Sequence, residues 1–167
     1  MRSPGAGLCL GVRPPYRYCT GVFRMAIRII VADDHTLIRE TLSDFLQEQE
    51  DREVVGRAAN GDAVMELTTK LQPDVVVMDI SMPPVLSGLE ATRWICGTWP
   101  QVKVIALSVY AHKRYVAEML KAGASGYLLK DAEFDELLIA IRAVVEGRTY
   151  IGAGVDISAL NNHIHSR

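Results

Sequence analysis

Residues 75–83 read Val-Val-Val-Met-Asp-Ile-Ser-Met-Pro. Four consecutive apolar residues, three of them β-branched, fit a strand buried on both faces, the pattern of a parallel sheet covered by helices on either side. The run stops at Asp79, so a carboxylate stands where the strand leaves the core.

The same grammar repeats on both sides of this run. Upstream, residues 27–32 and 54–58 are short strand-like runs, and between them Leu37, Ile38, Leu42, Phe45 and Leu46 recur at the three-to-four spacing of an amphipathic helix. Asn60-Gly61 marks a turn, and a helix from Ala63 to Leu71 stops before Pro73. Downstream, the spacing predicts a short helix over 89–95, a strand over 102–107, a helix over 115–121 closed by Gly123, and a strand over 126–129. Phe134, Leu137, Leu138, Ile141, Val144 and Val145 trace a last helical stripe, which Gly147 stops. Five strand–helix units in succession predict an α/β domain with a parallel sheet and right-handed crossovers.

The 167 residues are 49% hydrophobic and 23% charged, enough apolar material for one core, and the apolar runs are far too short for a membrane helix. The formal charge of −2 conceals an asymmetry. Residues 1–24 carry Arg2, Arg13, Arg17 and Arg24 and no acid, so 14 of the 18 basic residues remain to face 20 acids, a formal −6. An acidic domain lacks the basic footprint that gives most affinity for nucleic acid, so partners are expected among proteins and cations. Three cysteines at positions 9, 19 and 96 show no paired or metal-ligand spacing, which fits a reducing cytoplasm. The Gly-, Pro- and Arg-rich residues 1–24 lack the apolar core of a secretory signal and are read as an unstructured extension. Residues 152–167, with Asn161, Asn162, His163 and His165, are read as a tail or a truncated linker.

In an open parallel sheet the functional crevice lies at the carboxyl ends of the strands. Those ends carry Asp33-Asp34, Asp79, Ser108 and Lys130. Singly, each has a plain structural reading: a helix cap for Asp33 or Asp34, a turn for Asp79, a loop hydroxyl for Ser108, a solvated charge for Lys130. Jointly they place three acids, a hydroxyl and an amine around one crevice. Converging carboxylates raise one another's pKa unless a cation sits among them, and an all-oxygen set suits Mg²⁺. A cation, an ammonium and a hydroxyl donor aimed at one spot suit a phosphoryl group.

The runs IIVADDH (29–35), VVVMDISMP (75–83), VIALS (104–108) and AGASGYLLKD (122–131) together resemble the receiver domain of two-component response regulators, of the branch whose full-length members carry a LuxR/NarL-type helix-turn-helix. The resemblance covers residues 25–151. It implies a flavodoxin-like, doubly wound, five-stranded parallel sheet in the order 2-1-3-4-5 with helices on both faces. It implies that Asp79 accepts a phosphoryl group from a sensor histidine kinase, and that Asp34, Asp33, Asp79 and the backbone carbonyl of Ser81 hold Mg²⁺, with Mn²⁺ as an alternative ion. Lys130 and Ser108 would bind the phosphoryl group, Ser108 and Tyr127 would form the conformational switch, and Ser81 and Tyr110 would tune the lifetime of the phosphate. It also implies a cytoplasmic signalling switch rather than a metabolic enzyme, able to form a homodimer on phosphorylation. This sequence contains no helix-turn-helix segment, so no DNA contact by that route is expected of it.

One departure from the family pattern borders the acidic pocket. Pro84-Val85-Leu86-Ser87 separates Met82-Pro83 from Gly88 where the family usually has three residues. Rival readings fare worse. A haloacid-dehalogenase-type phosphatase needs a second Asp two residues after its nucleophile, and Ser81 stands there. A nucleotide or flavin binder needs a Gly-rich phosphate loop, and neither GxGxxG after a strand nor GxxxxGK[ST] occurs. A degenerate receiver used as a phosphorylation-independent scaffold is the remaining alternative.

Overall fold

The computed structural model describes residues 26–83 and 88–155; the expectations for residues 1–24, for Pro84–Ser87 and for residues 156–167 lie outside them. Strands and helices alternate as the periodicity predicts: β1 (Ile27–Ala32), α1 (Thr36–Gln47), β2 (Arg52–Ala58), α2 (Gly61–Leu71), β3 (Val75–Asp79), α3 (Gly88–Thr98), β4 (Lys103–Ser108), α4 (Lys113–Lys121), β5 (Gly126–Leu129), α5 (Phe134–Val145) and β6 (Tyr150–Ile151). The strands pair in parallel in the order β2-β1-β3-β4-β5-β6. The 2-1-3-4-5 order therefore holds, and the expected five strands gain a sixth. Two residues are too few to show a period, which is why β6 left no signal; it exists because Tyr150 and Ile151 lie beside Gly126 and Tyr127.

Side-chain alternation along each strand sorts the core into two faces. Ile29 and Val31 of β1 and Val75 and Val77 of β3 point to one side, where Leu42 and Leu46 of α1 and Leu137, Ile141 and Val144 of α5 cover them. Ile30, Ala32, Val76 and Met78 point to the other, against Val64 of α2 and Ala91 and Ile95 of α3. Further along that side, Tyr127 of β5 packs with Val116 and Met119 of α4. Each fully buried aliphatic side chain contributes about 1.5–3 kcal/mol, so strands buried on both faces anchor the domain. No helix among the described residues is long and apolar enough to cross a membrane.

Local chemistry sets the boundaries. Asn60 caps α2 by accepting the Ala63 N–H at 2.8 Å. Gly123 closes α4 at φ +106, and a Cβ there would lie 2.6 Å from Cys96 Cβ, so neither the backbone nor the space admits a side chain. β2 starts at Arg52, two residues before the apolar run, because Arg52 is buried and its guanidinium donates to the Leu138 carbonyl. Packing continues past the expected boundary at 151: Gly152 N–H donates to Tyr127 O, Ala153 N–H to Glu136 Oε1, and Val155 is buried beside Tyr127.

Candidate functional site

Because β1 lies between β2 and β3, the chain reverses its direction of progress across the sheet between β1 and β3, and their carboxyl ends flank the crevice that such a reversal opens. The residues that follow β1 are Asp33 and Asp34, β3 itself ends in Asp79, and the residue after β5 is Lys130. The fold thus brings together groups separated by up to 97 positions. Lys130 Nζ donates to Asp33 Oδ2 and to Asp79 Oδ2, both at 2.8 Å. Asp33 and Asp79 are buried, with 0% and 2% of their surface exposed.

The other carboxylate oxygens face away from the ammonium. Asp33 Oδ1 accepts the His35 N–H at 2.8 Å, and Asp79 Oδ1 accepts the Ser81 N–H at 3.0 Å. The capping reading of Asp33 does not hold: His35 is the N-cap of α1 and no side chain caps it, while Asp33 closes a turn onto the His35 N–H just before the helix and its carbonyl accepts the Arg39 guanidinium. Asp34 Oδ1 is buried and accepts no hydrogen bond among the described residues. Burial pushes the Asp79 carboxyl above its ordinary range, and the Lys130 and Ser81 donors offset only part of that rise. Burial pulls Lys130 the opposite way, but its hydrogen bonds to Asp33 and Asp79 and their negative charges outweigh it and hold the ammonium above its usual pKa.

Donor atoms of Asp33, Asp34, His35 and Asp79 all lie within 4.8 Å of one another. Three carboxylates against one ammonium leave a formal −2, the complement of a divalent cation. The hard oxygen donors and the buried Asp34 Oδ1, which accepts no hydrogen bond, fit Mg²⁺ or Mn²⁺. Gly88 fixes the floor of the crevice: its N–H donates to Ile80 O at 2.9 Å, and a Cβ there would come within 2.0 Å of Asp79 O.

The remaining expected residues form a second, linked group. Ser108 ends β4, buried; its Oγ accepts the Tyr110 N–H at 3.0 Å, and its hydroxyl faces the Tyr127 side chain. Tyr127 is fully buried and its hydroxyl donates to Tyr110 O at 2.6 Å. The half-exposed Tyr110 ring stacks on Tyr115 of α4, with centroids 4.7 Å apart. Tyr110, expected as a rate-tuning residue, is thus also the connector between Ser108, Tyr127 and α4. Ser81 is exposed at the rim. Two residues of this pocket have no expected role in the sequence: His35, whose place directly after an acidic pair is the available signal, and Gly88, which there marks only the end of a loop.

Residues 29–142 match the family model described as the response regulator receiver domain. The oxygen regulatory protein NreC of Staphylococcus haemolyticus is 41% identical over 143 residues, which cover 84% of this chain and 66% of that protein. This chain thus spans just under two thirds of the curated relative. Among solved structures, a LuxR-family two-component response regulator from Aurantimonas superposes with a TM-score of 0.74 at 30% identity, covering 78% of this chain and 92% of the other. The receiver domain of the NarL response regulator from Mycobacterium tuberculosis gives 0.71 at 31% identity, covering 74% and 99%. A doubly wound sheet with an acidic pocket at its switch point, matched along its length by these regulators, places the chain in the response regulator receiver domain family.

Proposed function

We propose that this domain is a phospho-accepting switch of a two-component system, in which a sensor histidine kinase phosphorylates Asp79 in the cytoplasm and the altered surface regulates transcription through the full-length protein. The observation that carries this reading is the Lys130 ammonium bridging Asp33 and Asp79 at 2.8 Å each beside an Asp34 Oδ1 that accepts no hydrogen bond. An Asp79 carboxylate oxygen attacks the phosphorus of a phosphohistidine; the new O–P bond forms as the P–N bond breaks, and the imidazole leaves with the electron pair. Phosphoryl transfer needs positioning and charge neutralisation more than acid or base groups, and the Ser81 N–H and Lys130 hold the nucleophile in place. Asp33, Asp34, Asp79 and the Ser81 carbonyl would hold the Mg²⁺, which supplies neutralisation of the phosphoryl oxygens.

Lys130 then follows the developing charge, and the Ser108 hydroxyl would turn from Tyr127 to donate to the phosphoryl group. Movement of Ser108 would be felt by Tyr110, and through it by the Tyr127 hydroxyl on β5 and the Tyr115 ring on α4, which supports the α4–β5–α5 face as the output surface and the place for a phosphorylation-dependent homodimer. A bistable packing of this kind is what a local charge change can bias.

The test is intact mass after incubation with Mg²⁺ and acetyl phosphate, beside an Asp79→Asn variant. Gain of one phosphoryl group by the parent alone, abolished by chelation, is the expected result. No gain by the folded parent would sink the switch in favour of a phosphorylation-independent scaffold.

A further inference from the structure

We propose that His35 is a ligand of the cation pocket, through Nδ1, and that it gives the site a preference for divalent transition ions such as Mn²⁺ and Co²⁺ over Mg²⁺. This rests on the cation-dependent reading above and adds a nitrogen donor to a set that reading treats as all oxygen.

Three features of the pocket carry the inference. His35 Nδ1 lies 3.0 Å from Asp34 Oδ1 and 3.4 Å from Asp33 Oδ1. The closer pair is not aligned as a hydrogen bond, because Asp34 Oδ1 accepts none. Two donor atoms side by side without bonding each other are what a shared ion requires: with octahedral bonds near 2.1 Å, neighbouring ligand atoms stand about 3.0 Å apart.

The second feature is the division of the carboxylates. Lys130 takes Asp33 Oδ2 and Asp79 Oδ2, so the ammonium closes one side of the pocket. His35 stands on the other, with its Nδ1 against the Oδ1 atoms of Asp33 and Asp34 and its ring open to solvent. The third is that the backbone holds it there. The His35 N–H is bonded to Asp33 Oδ1, and His35 is the residue from which α1 starts, with its carbonyl accepting the Arg39 N–H at 3.0 Å. The Cα of His35 is therefore held at the mouth of the pocket.

Imidazole suits borderline transition ions, whereas Mg²⁺ prefers oxygen and keeps several of its waters. Carboxylates alone also bind Mn²⁺ and Co²⁺ more tightly than Mg²⁺. The quantity that isolates the imidazole is thus the change produced by removing it.

The experiment uses the whole chain, freed of metal by chelation, as wild type, His35→Phe and Asp34→Asn, each checked for fold by far-UV circular dichroism. Mn²⁺ binding is followed by the loss of the free-ion electron paramagnetic resonance signal, Mg²⁺ by competition, and direct nitrogen ligation by ¹⁴N modulation of the electron spin echo of bound Mn²⁺. Asp34→Asn weakens the pocket and marks binding that depends on it, while His35→Phe retains only the other three histidines, so ¹⁴N modulation independent of Asp34 that survives in His35→Phe comes from those and is subtracted. The expected result is ¹⁴N modulation in wild type that disappears in His35→Phe, with Mn²⁺ affinity falling by about tenfold or more, the scale on which loss of a group supporting a metal site is felt. Mg²⁺ affinity should not change. Asp34-dependent Mn²⁺ binding without ¹⁴N modulation, or equal Mn²⁺ affinity in His35→Phe, overturns the assignment of His35 and leaves the phospho-switch standing. Absence of any Asp34-dependent binding of either ion removes the cation site itself, and both readings fall with it.

Discussion

Two glycines of α3 should respond to the same substitution with opposite sign. At Gly88 an added Cβ would stand 2.0 Å from Asp79 O, 2.9 Å from Asp79 C and 2.8 Å from Ile80 Cα, all backbone atoms. No side chain can swing aside, so either α3 or the end of β3 must move by roughly an ångström, an overpacking strain of about 1–3 kcal/mol. At Gly97 the same Cβ meets nothing within 4 Å. There Gly→Ala carries only its backbone and helix-propensity benefit, about 0.5–1 kcal/mol. Gly88→Ala should therefore be about 2 kcal/mol less stable than the parent and Gly97→Ala up to about 1 kcal/mol more stable, a separation of roughly 10 °C in Tm at about 4 °C per kcal/mol for a domain of this size. Urea unfolding followed by tryptophan fluorescence is well placed, since Trp94 lies in α3 and Trp99 directly after it. Because the clash is with the Asp79 carbonyl, Gly88→Ala should also slow phosphorylation by acetyl phosphate, while Gly97→Ala should not. A Gly88→Ala protein as stable as Gly97→Ala would refute the close approach of α3 to the carboxyl end of β3.

Other perturbations address the charges and the connector. Lys130→Met should cost about 3 kcal/mol, since it strands two buried carboxylates, and adding Asp79→Asn should recover part of that loss; additive urea midpoints would count against the bridge. In metal-free buffer at pH 7, Asp79→Asn alone should raise stability by about 1 kcal/mol, because burial penalises the charge that Asn lacks; an unchanged or lower urea midpoint would contradict this. Burial pushes the Cys96 thiol to about 11, against an ordinary value of 9.0, so in a Cys9→Ser/Cys19→Ser background its alkylation by iodoacetamide at pH 8 should run about a hundredfold slower than after unfolding in urea. The sign for stability follows: the neutral thiol's contribution is complete below pH 9.0 and is lost as pH rises through about 11, which urea midpoints between pH 8 and 11 would register. Tyr127→Phe should cost about 1 kcal/mol through the lost bond to the Tyr110 carbonyl, with phosphorylation retained; loss of phosphorylation would place Tyr127 in the site chemistry instead of the relay.

The alternation of short apolar runs with helical stripes was enough to determine nearly every element, because burying both faces of β3 requires helices on each side and a parallel sheet. The acidic pocket was legible for a related reason: Asp34, Asp79, Ser108 and Lys130 interrupt or bound apolar runs where strands must end, so topology alone sends them to one edge. Relations between atoms that share no local pattern were decided only by the tertiary structure. The alignment that leaves Asp34 Oδ1 without a hydrogen bond beside His35, the 2.0 Å constraint at Gly88, the hydrogen bonds that join Ser108 and Tyr127 to Tyr110, and the two-residue β6 each depend on where distant backbone segments come to rest. A period in sequence reports which face a side chain takes; the distance and direction from one polar atom to another are fixed only when the packed sheet and helices hold both.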